Sequence, residues 1–370
     1  MGVDVIRNLQ DTLARLSKFK QAAQAGVPIP HRLQPLGAFG SNPGALSARH
    51  YVPESYRSGG PLVVVLHGCT QTAGGYDQSS GWSRLADRYG FALLFPEQQR
   101  SNNPNLCFNW FSADDANRGM GEALSIRQMV AAMQKMHGTG LRRTFVTGLS
   151  AGGAMTAVML ATYPDVFAGG AVIAGLPFGV AKSIPEAFDR MRGHGMPRPA
   201  DLSDLVRRAS PHQGEWPLLS VWHGTQDGTV DSSNATALVE QWRSLHGAPK
   251  QPSRTDIVAG YPHRVWQDRA GKDVVEEYRL TGLGHGTPLD TSERGAQEVA
   301  APYMLEAGIS STLRIAAFWG IIPALAVGED EPIARVPNTE KSAVPNFRDL
   351  IHSGVTKTID DALRSAGLLR

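Results

Sequence analysis

The chain has 370 residues, 42% of them hydrophobic and 19% charged, enough for one large catalytic domain or two smaller ones. Lys+Arg 36 against Asp+Glu 34 leaves a formal charge of +2, and the charges are scattered rather than blocked. That argues against a basic nucleic-acid stripe, an acidic tail and, because the most apolar stretch (315–327) is broken by Gly320 and Pro323, an integral membrane segment.

The N-terminus shows no apolar core with a small-residue cleavage site, so no secretory signal is visible. Ile6 stands where a myristoylation signal needs Ser or Thr. Val5, Leu9, Leu13 and Leu16 recur at helical spacing with Arg7, Arg15 and Lys18 between them, which predicts an amphipathic helix over 4–25 lying on the domain surface. A Pro/Gly-rich stretch, 27–44, reads as a linker, so residues 1–44 form an N-terminal helix and linker.

A catalytic body is expected over 45–325. Its first clear strand is the apolar run 62–66, buried on both faces. There follow a helix over 82–89, a strand over 91–95, a helix over 121–136, a strand over 144–148 and a helix over 151–162. Strands over 171–174, 218–222 and 274–280, with a helix over 233–245, continue the alternation. It predicts an α/β fold, a mostly parallel central sheet with helices on both faces. A helix near 303–319 closes the body. Residues 326–370 read as a polar linker (328–346) and a short C-terminal helix (358–366).

Residues 148–153, Gly-Leu-Ser-Ala-Gly-Gly, contain G-x-S-x-G. The pattern alone is weak, because glycine is 40 of the 370 residues. Its context is specific: it follows a β-branched and aromatic strand and opens a helix, the turn that projects a serine hydroxyl above a sheet edge. Ser150 is therefore the candidate nucleophile, with glycines where side chains would collide. Charge developing on a carbonyl under attack needs backbone N–H donors already in place. The amide of Ala151 supplies one and that of Cys69, in the loop after strand 62–66, the other; His67 braces that loop. A nucleophilic cysteine is the alternative for Cys69, without an adjacent base to support it.

The partners of such a serine follow as acid, then histidine, on loops after late strands. Asp227 lies just past the strand 218–222, and Asp231, four residues on, suits the cap of the next helix. His285, bracketed by Gly284 and Gly286 after the last strand, is the candidate base; His212, His223 and His263 compete with it. No C-x-x-C, H-x-x-x-H or phosphate-loop spacing is present, so no metal and no cofactor are expected. Two cysteines allow one disulfide or two unpaired thiols.

At this point HGCTQTAGGYD (67–77), GWSRLADRYGFALLFPEQQRSNNPNLCFNW (81–110), GLSAGGAM (148–155), HGTQDGTVD (223–231) and GLGHGTP (282–288) together resemble the poly(3-hydroxybutyrate) depolymerase-type esterases of the α/β-hydrolase superfamily, relatives of feruloyl and acetylxylan esterases. The resemblance spans roughly 45–320. It implies an α/β-hydrolase fold, a Ser150–His285–Asp227 triad, an oxyanion hole from Cys69 and Ala151, and a Cys69–Cys107 disulfide tying the oxyanion loop to CFNW. It further implies a serine esterase acting on aliphatic polyester or hydroxyalkanoate esters, with a carbohydrate ester hydrolase as alternative and a non-catalytic binding protein as the reading from another class. Polymer-degrading relatives carry a signal, a linker and an adsorption domain, which points here to oligomers, amorphous polymer or small esters. The resemblance and the cysteine pair indicate an extracellular or periplasmic site, and the missing signal a cytoplasmic one. Trp110, Phe108, Trp222, Phe178 and Trp266 are the aromatics expected to line an acyl cleft, Trp110 foremost.

Overall fold

The computed structural model describes residues 31–140, 142–292 and 297–324. The helix expected at 4–25 and the segments at 328–346 and 358–366 lie outside them. The strands are β1 (Gln34–Pro35), β2 (Ser47–Tyr51), β3 (Leu62–Leu66), β4 (Ala92–Glu97), β5 (Thr144–Leu149), β6 (Phe167–Ile173), β7 (Leu218–Gly224), β8 (Arg254–Val258), β9 (Tyr261–Gln267), β10 (Asp273–Leu280), β11 (Thr287–Leu289) and β12 (Met304–Glu306). The helices are α1 (Ala73–Ser80), α2 (Trp82–Tyr89), α3 (Ala113–Ala116), α4 (Gly121–His137), α5 (Ala151–Thr162), α6 (Ile184–Met191), α7 (Pro199–Arg207), α8 (Ser233–Leu245) and α9 (Ser311–Phe318).

Ten strands form one sheet in the order β1-β2-β4-β3-β5-β6-β7-β10-β9-β8. The six from β4 to β10 run parallel. In β3 all five residues are buried, and they alternate between two cores: Leu62, Val64 and Leu66 face one, Val63 and Val65 the other. A run apolar at every position is what a strand covered on both faces requires. The core on one face of the sheet includes Ile126, Met129 and Val130 of α4 and Leu238 and Trp242 of α8; the core on the other includes Trp82 and Leu85 of α2 and Ile315 of α9. Helix α5 is buried along its whole length beneath the sheet edge it serves. The chain thus has the expected α/β class, a central parallel sheet between helical layers.

The mostly parallel sheet gains antiparallel edges, and two expectations change. Both sheet edges are antiparallel, β2 and β1 on one side, β9 and β8 on the other. Strand β8 is a half-exposed edge with Ile257 67% exposed, so it lacks a buried apolar run to announce it. The stretch 33–44 is not a linker: Leu33 and Leu36 are buried, β1 pairs with β2, and the Gly44 N–H donates to Ser125 Oγ. Finally, 303–319 is not one helix. Residues Met304–Glu306 pair with β11, and α9 begins only at Ser311, capped by Ser310 Oγ accepting from the Leu313 N–H. No helix among the described residues is long and apolar enough to cross a membrane.

Candidate active site

Because β3, β5, β7 and β10 are parallel, the loops that follow them share one edge of the sheet. Ser150 follows β5 with φ 57° and ψ −118°, a conformation L-residues rarely hold. It is fixed by its N–H donating to Ile173 O and by tight packing beneath. A Cβ on Gly148 would sit 2.4 Å from Gly152 O, and one on Gly152 2.5 Å from the carbonyl oxygens of Leu66 and His67. The two glycines therefore let β5, α5 and the end of β3 meet at backbone distance. The Ser150 side chain makes no capping hydrogen bond to α5.

The loops after β7 and β10 are laced together. Thr225 N–H donates to Leu280 O, Gln226 N–H to Leu283 O, and Gly282 N–H to Thr225 Oγ1. This brings His285 Nδ1 to 2.8 Å from Asp227 Oδ2. The carboxylate only accepts, so the proton lies on Nδ1 and the Nε2 lone pair stays open. The Asp227 side chain is fully buried, and its Oδ1 accepts from the N–H groups of Thr229 and Val230. Burial opposes its charge, yet hydrogen bonds from His223 and His285 outweigh it and hold the carboxyl well below the usual carboxylate range.

The histidines that compete on sequence are separated by the fold. His223 lies behind Asp227, its Nε2 at 2.8 Å from Val230 O and 3.4 Å from Asp227 Oδ2, so it is a second partner of the same carboxylate. His263 is paired with buried Glu276, and His212 bonds Glu215 O on the exposed surface. Asp231 accepts from Ser233 N–H at the start of α8 and stays with that helix.

After β3 the chain turns through Thr70 at φ 63°, strained for a β-branched residue. Gly68 N–H donates to Gln71 Oε1 and Thr70 N–H to Asn105 O, with the Cys69 amide between them. Ala151, first in α5, has an N–H without an intrahelical acceptor. His67 accepts from Gln98 N–H at Nε2, so its Nδ1 donates to Gly68 O at 2.7 Å, a bracing role. Cys69 and Cys107 are joined as a disulfide, with Cα atoms 4.3 Å apart. The link closes a loop of 38 residues, for which chain entropy gives about 3–4 kcal/mol. Reduction, or Cys107→Ser, is expected to lower unfolding free energy by about that much, read as a drop in the urea midpoint. An unchanged midpoint contradicts it.

Behind this loop lies a polar hub that the sequence analysis did not anticipate. Glu122 is fully buried and accepts from Gln98 Nε2, Asn109 Nδ2 and Asn109 N. Gln98 Nε2 also donates to Cys107 O, which connects the hub to the disulfide. Burial pushes the Glu122 carboxyl up to about 8, and does the same to Glu298 beneath Ser310. A raised carboxyl binds protons in the folded state that the unfolded chain has released. Its stabilisation is therefore full below the ordinary value of 4.5 and lost as pH climbs to about 8. Buried His67 and partly buried His246, held below the usual imidazole range, act in the opposite sense up to about pH 6.5. The carboxyls are therefore read by difference: between about pH 5 and about pH 8 the melting temperature of wild type is expected to fall relative to that of Glu122→Gln and Glu298→Gln. Gln variants that keep the wild-type slope contradict the assignment.

The aromatics divide. Phe108 is fully buried against His67, and Trp222 is fully buried, stacked on Tyr278 with Nε1 bonded to Ser220 Oγ. Both are core, not cleft wall, because no atom of either reaches solvent; Trp266, at 3% exposure, joins them. Trp110 at 7% and Phe178 at 9% keep a small exposed edge. The aromatic that the fold brings to His285 is Tyr303, edge-on with ring centroids 6.1 Å apart, and no local pattern in the sequence marks it.

Comparison with known proteins agrees with this architecture. The family model described as "Esterase PHB depolymerase" matches residues 46–252. "Poly(3-hydroxyalkanoate) depolymerase C" of Paucimonas lemoignei is 46% identical over 295 residues, 79% of this chain and 71% of that protein. "Feruloyl esterase B" of Talaromyces stipitatus is 31% identical over 69% of this chain and 72% of its own length. Among solved structures, the acetyl xylan esterase from Aspergillus awamori superposes with a TM-score of 0.67 at 26% identity, covering 78% of this chain and 99% of that one. The chain belongs to the PHB-depolymerase esterase family and is a carboxylic ester hydrolase with the α/β-hydrolase fold.

Proposed function

We propose that this enzyme hydrolyses aliphatic hydroxyalkanoate esters, of the 3-hydroxybutyrate type, through an acyl-enzyme on Ser150. The observation that carries the reading is the partly buried Asp227–His285 hydrogen bond at the sheet edge that also presents the strained Ser150 turn. In this mechanism His285 Nε2 takes the Ser150 proton as Oγ adds to the ester carbonyl. The amides of Cys69 and Ala151 hold the oxyanion, and the proton then passes to the departing alkoxide. Water, deprotonated by the same imidazole, releases the acid and restores Ser150. Asp227 stabilises the imidazolium and fixes its tautomer. Trp110 and Phe178 supply apolar wall through their exposed edges.

The substrate class draws support from the depolymerase at 46% identity. A second reading, a feruloyl or acetylxylan-type ester hydrolase, has the relatives at 31 and 32% identity in its favour. Product analysis on amorphous polyhydroxybutyrate and 3-hydroxybutyrate oligomers, beside methyl ferulate and acetylated xylan, decides. The proposal expects 3-hydroxybutyrate monomer and dimer with the higher kcat/KM; faster release of ferulate or acetate overturns it.

A further inference from the structure

Residues 301–304 form a tight turn closed by two backbone bonds, Ala301 N–H to Met304 O and Met304 N–H to Ala301 O. Pro302 and Tyr303 fill its central positions, and Tyr303 has φ 63°. Glycine or asparagine is the inexpensive choice at such a position, and a bulky aromatic there is a true outlier. Such strain persists where the surroundings over-determine it, and that happens mostly at working sites.

The surroundings do over-determine it. Tyr303 O accepts from Thr287 N–H at 2.8 Å, two residues after His285. A Cβ on Gly286 would lie 2.7 Å from Tyr303 O, so the turn lies directly on the His285 loop. On its other side, Pro302 O accepts from Gln71 Nε2, while Gln71 Oε1 holds Gly68 N–H in the oxyanion loop. One turn thus links the loop of the base to the loop of the oxyanion donor. The half-buried Tyr303 ring stands edge-on to the imidazole.

Accepting the Ser150–His285 reading, on which this inference rests, the departing alkoxide takes its proton from His285 Nε2. The alcohol half of the ester must then lie beside that imidazole. We propose that Tyr303 is a specificity-determining residue, the wall against which the alcohol half of the ester packs, held there by its left-handed turn. A phenol offers an apolar face with a hydrogen-bonding tip. That combination fits an alcohol half carrying both alkyl surface and oxygen acceptors, as a hydroxyacid does, better than a bare short alcohol.

The test compares kcat and KM for the 3-hydroxybutyrate dimer and for methyl butyrate in wild type, Tyr303→Phe, Tyr303→Ala and Tyr303→Gly. A small fluorophosphonate that labels Ser150 reports the nucleophile in each. The preference for the dimer, as a ratio of kcat/KM values, is expected to fall at least tenfold in Tyr303→Ala and Tyr303→Gly, chiefly through KM for the dimer. Tyr303→Phe keeps the ring and should recover most of that ratio. Tyr303→Gly, which relieves the backbone, should melt no lower than Tyr303→Ala. Variants that take the label yet keep the wild-type ratio, or lose both substrates in equal proportion, overturn the proposal. Wild-type protein that takes no label overturns it together with the Ser150 reading.

Discussion

Ser150→Ala is expected to lower kcat for p-nitrophenyl butyrate by about 10⁵- to 10⁶-fold while leaving the fold intact. The size of the loss follows from what the residue supplies. Without Oγ no acyl-enzyme forms, and direct attack by water retains only the contribution of the oxyanion amides and substrate binding. Stability should change little, because alanine at φ 57° bears the same backbone strain that serine does. Ser150→Gly removes that strain and should gain about 1 kcal/mol at equal loss of activity. The pairing separates catalysis from folding: both variants are inactive, one as stable as wild type and one more so. Initial rates and thermal melts read the two effects separately, and an active Ser150→Ala protein contradicts the mechanism outright.

The second large effect is expected at Asp227. Asp227→Asn should cost about 10⁴-fold in kcat, nearly isosterically. The carboxylate accepts from His285 Nδ1, from the N–H groups of Thr229 and Val230, and from His223. If the asparagine oxygen keeps the two backbone donors, its NH₂ must face His285 Nδ1. Two donors cannot satisfy one another, so the imidazole moves its proton to Nε2 and loses the lone pair that would take the Ser150 proton. The low titration of Asp227 adds a consequence: the carboxylate remains charged, and able to accept from His285, through the acidic range. Asp231→Asn is the control. That carboxyl accepts from Ser233 N–H at the start of α8, and its loss should change kcat less than threefold. Equal losses at both positions would mean that the acid has been misassigned.

What could be read from the sequence shares a physical character. Strand β3, helix α5 and the span of α8 were legible because a period or a glycine pair written locally is enough to determine them. The pairing of Asp227 with His285 was legible through position, each on a loop that follows a parallel strand. The antiparallel strand β8 was not, because an exposed edge has no core to record in its side chains. The boundary near Leu33 was hidden by prolines and glycines that also suit a loop folded onto a sheet edge. Phe108 and Trp222 looked like cleft residues since a core and an acyl cleft draw on the same aromatics, and only burial tells them apart. Tyr303 was invisible for another reason: its placement depends on a positive φ that no tyrosine advertises. The Glu122 hub was likewise silent, its donors coming from Gln98 and Asn109, both outside its own helix.

The most direct measurement is the site of a covalent adduct. Folded protein treated with a fluorophosphonate, digested and mapped by mass spectrometry, should carry one phosphonyl group, on the Ser150 hydroxyl. An adduct at Cys69, Tyr303 or any other side chain, or no adduct in protein that still cleaves esters, would show that the nucleophile lies elsewhere.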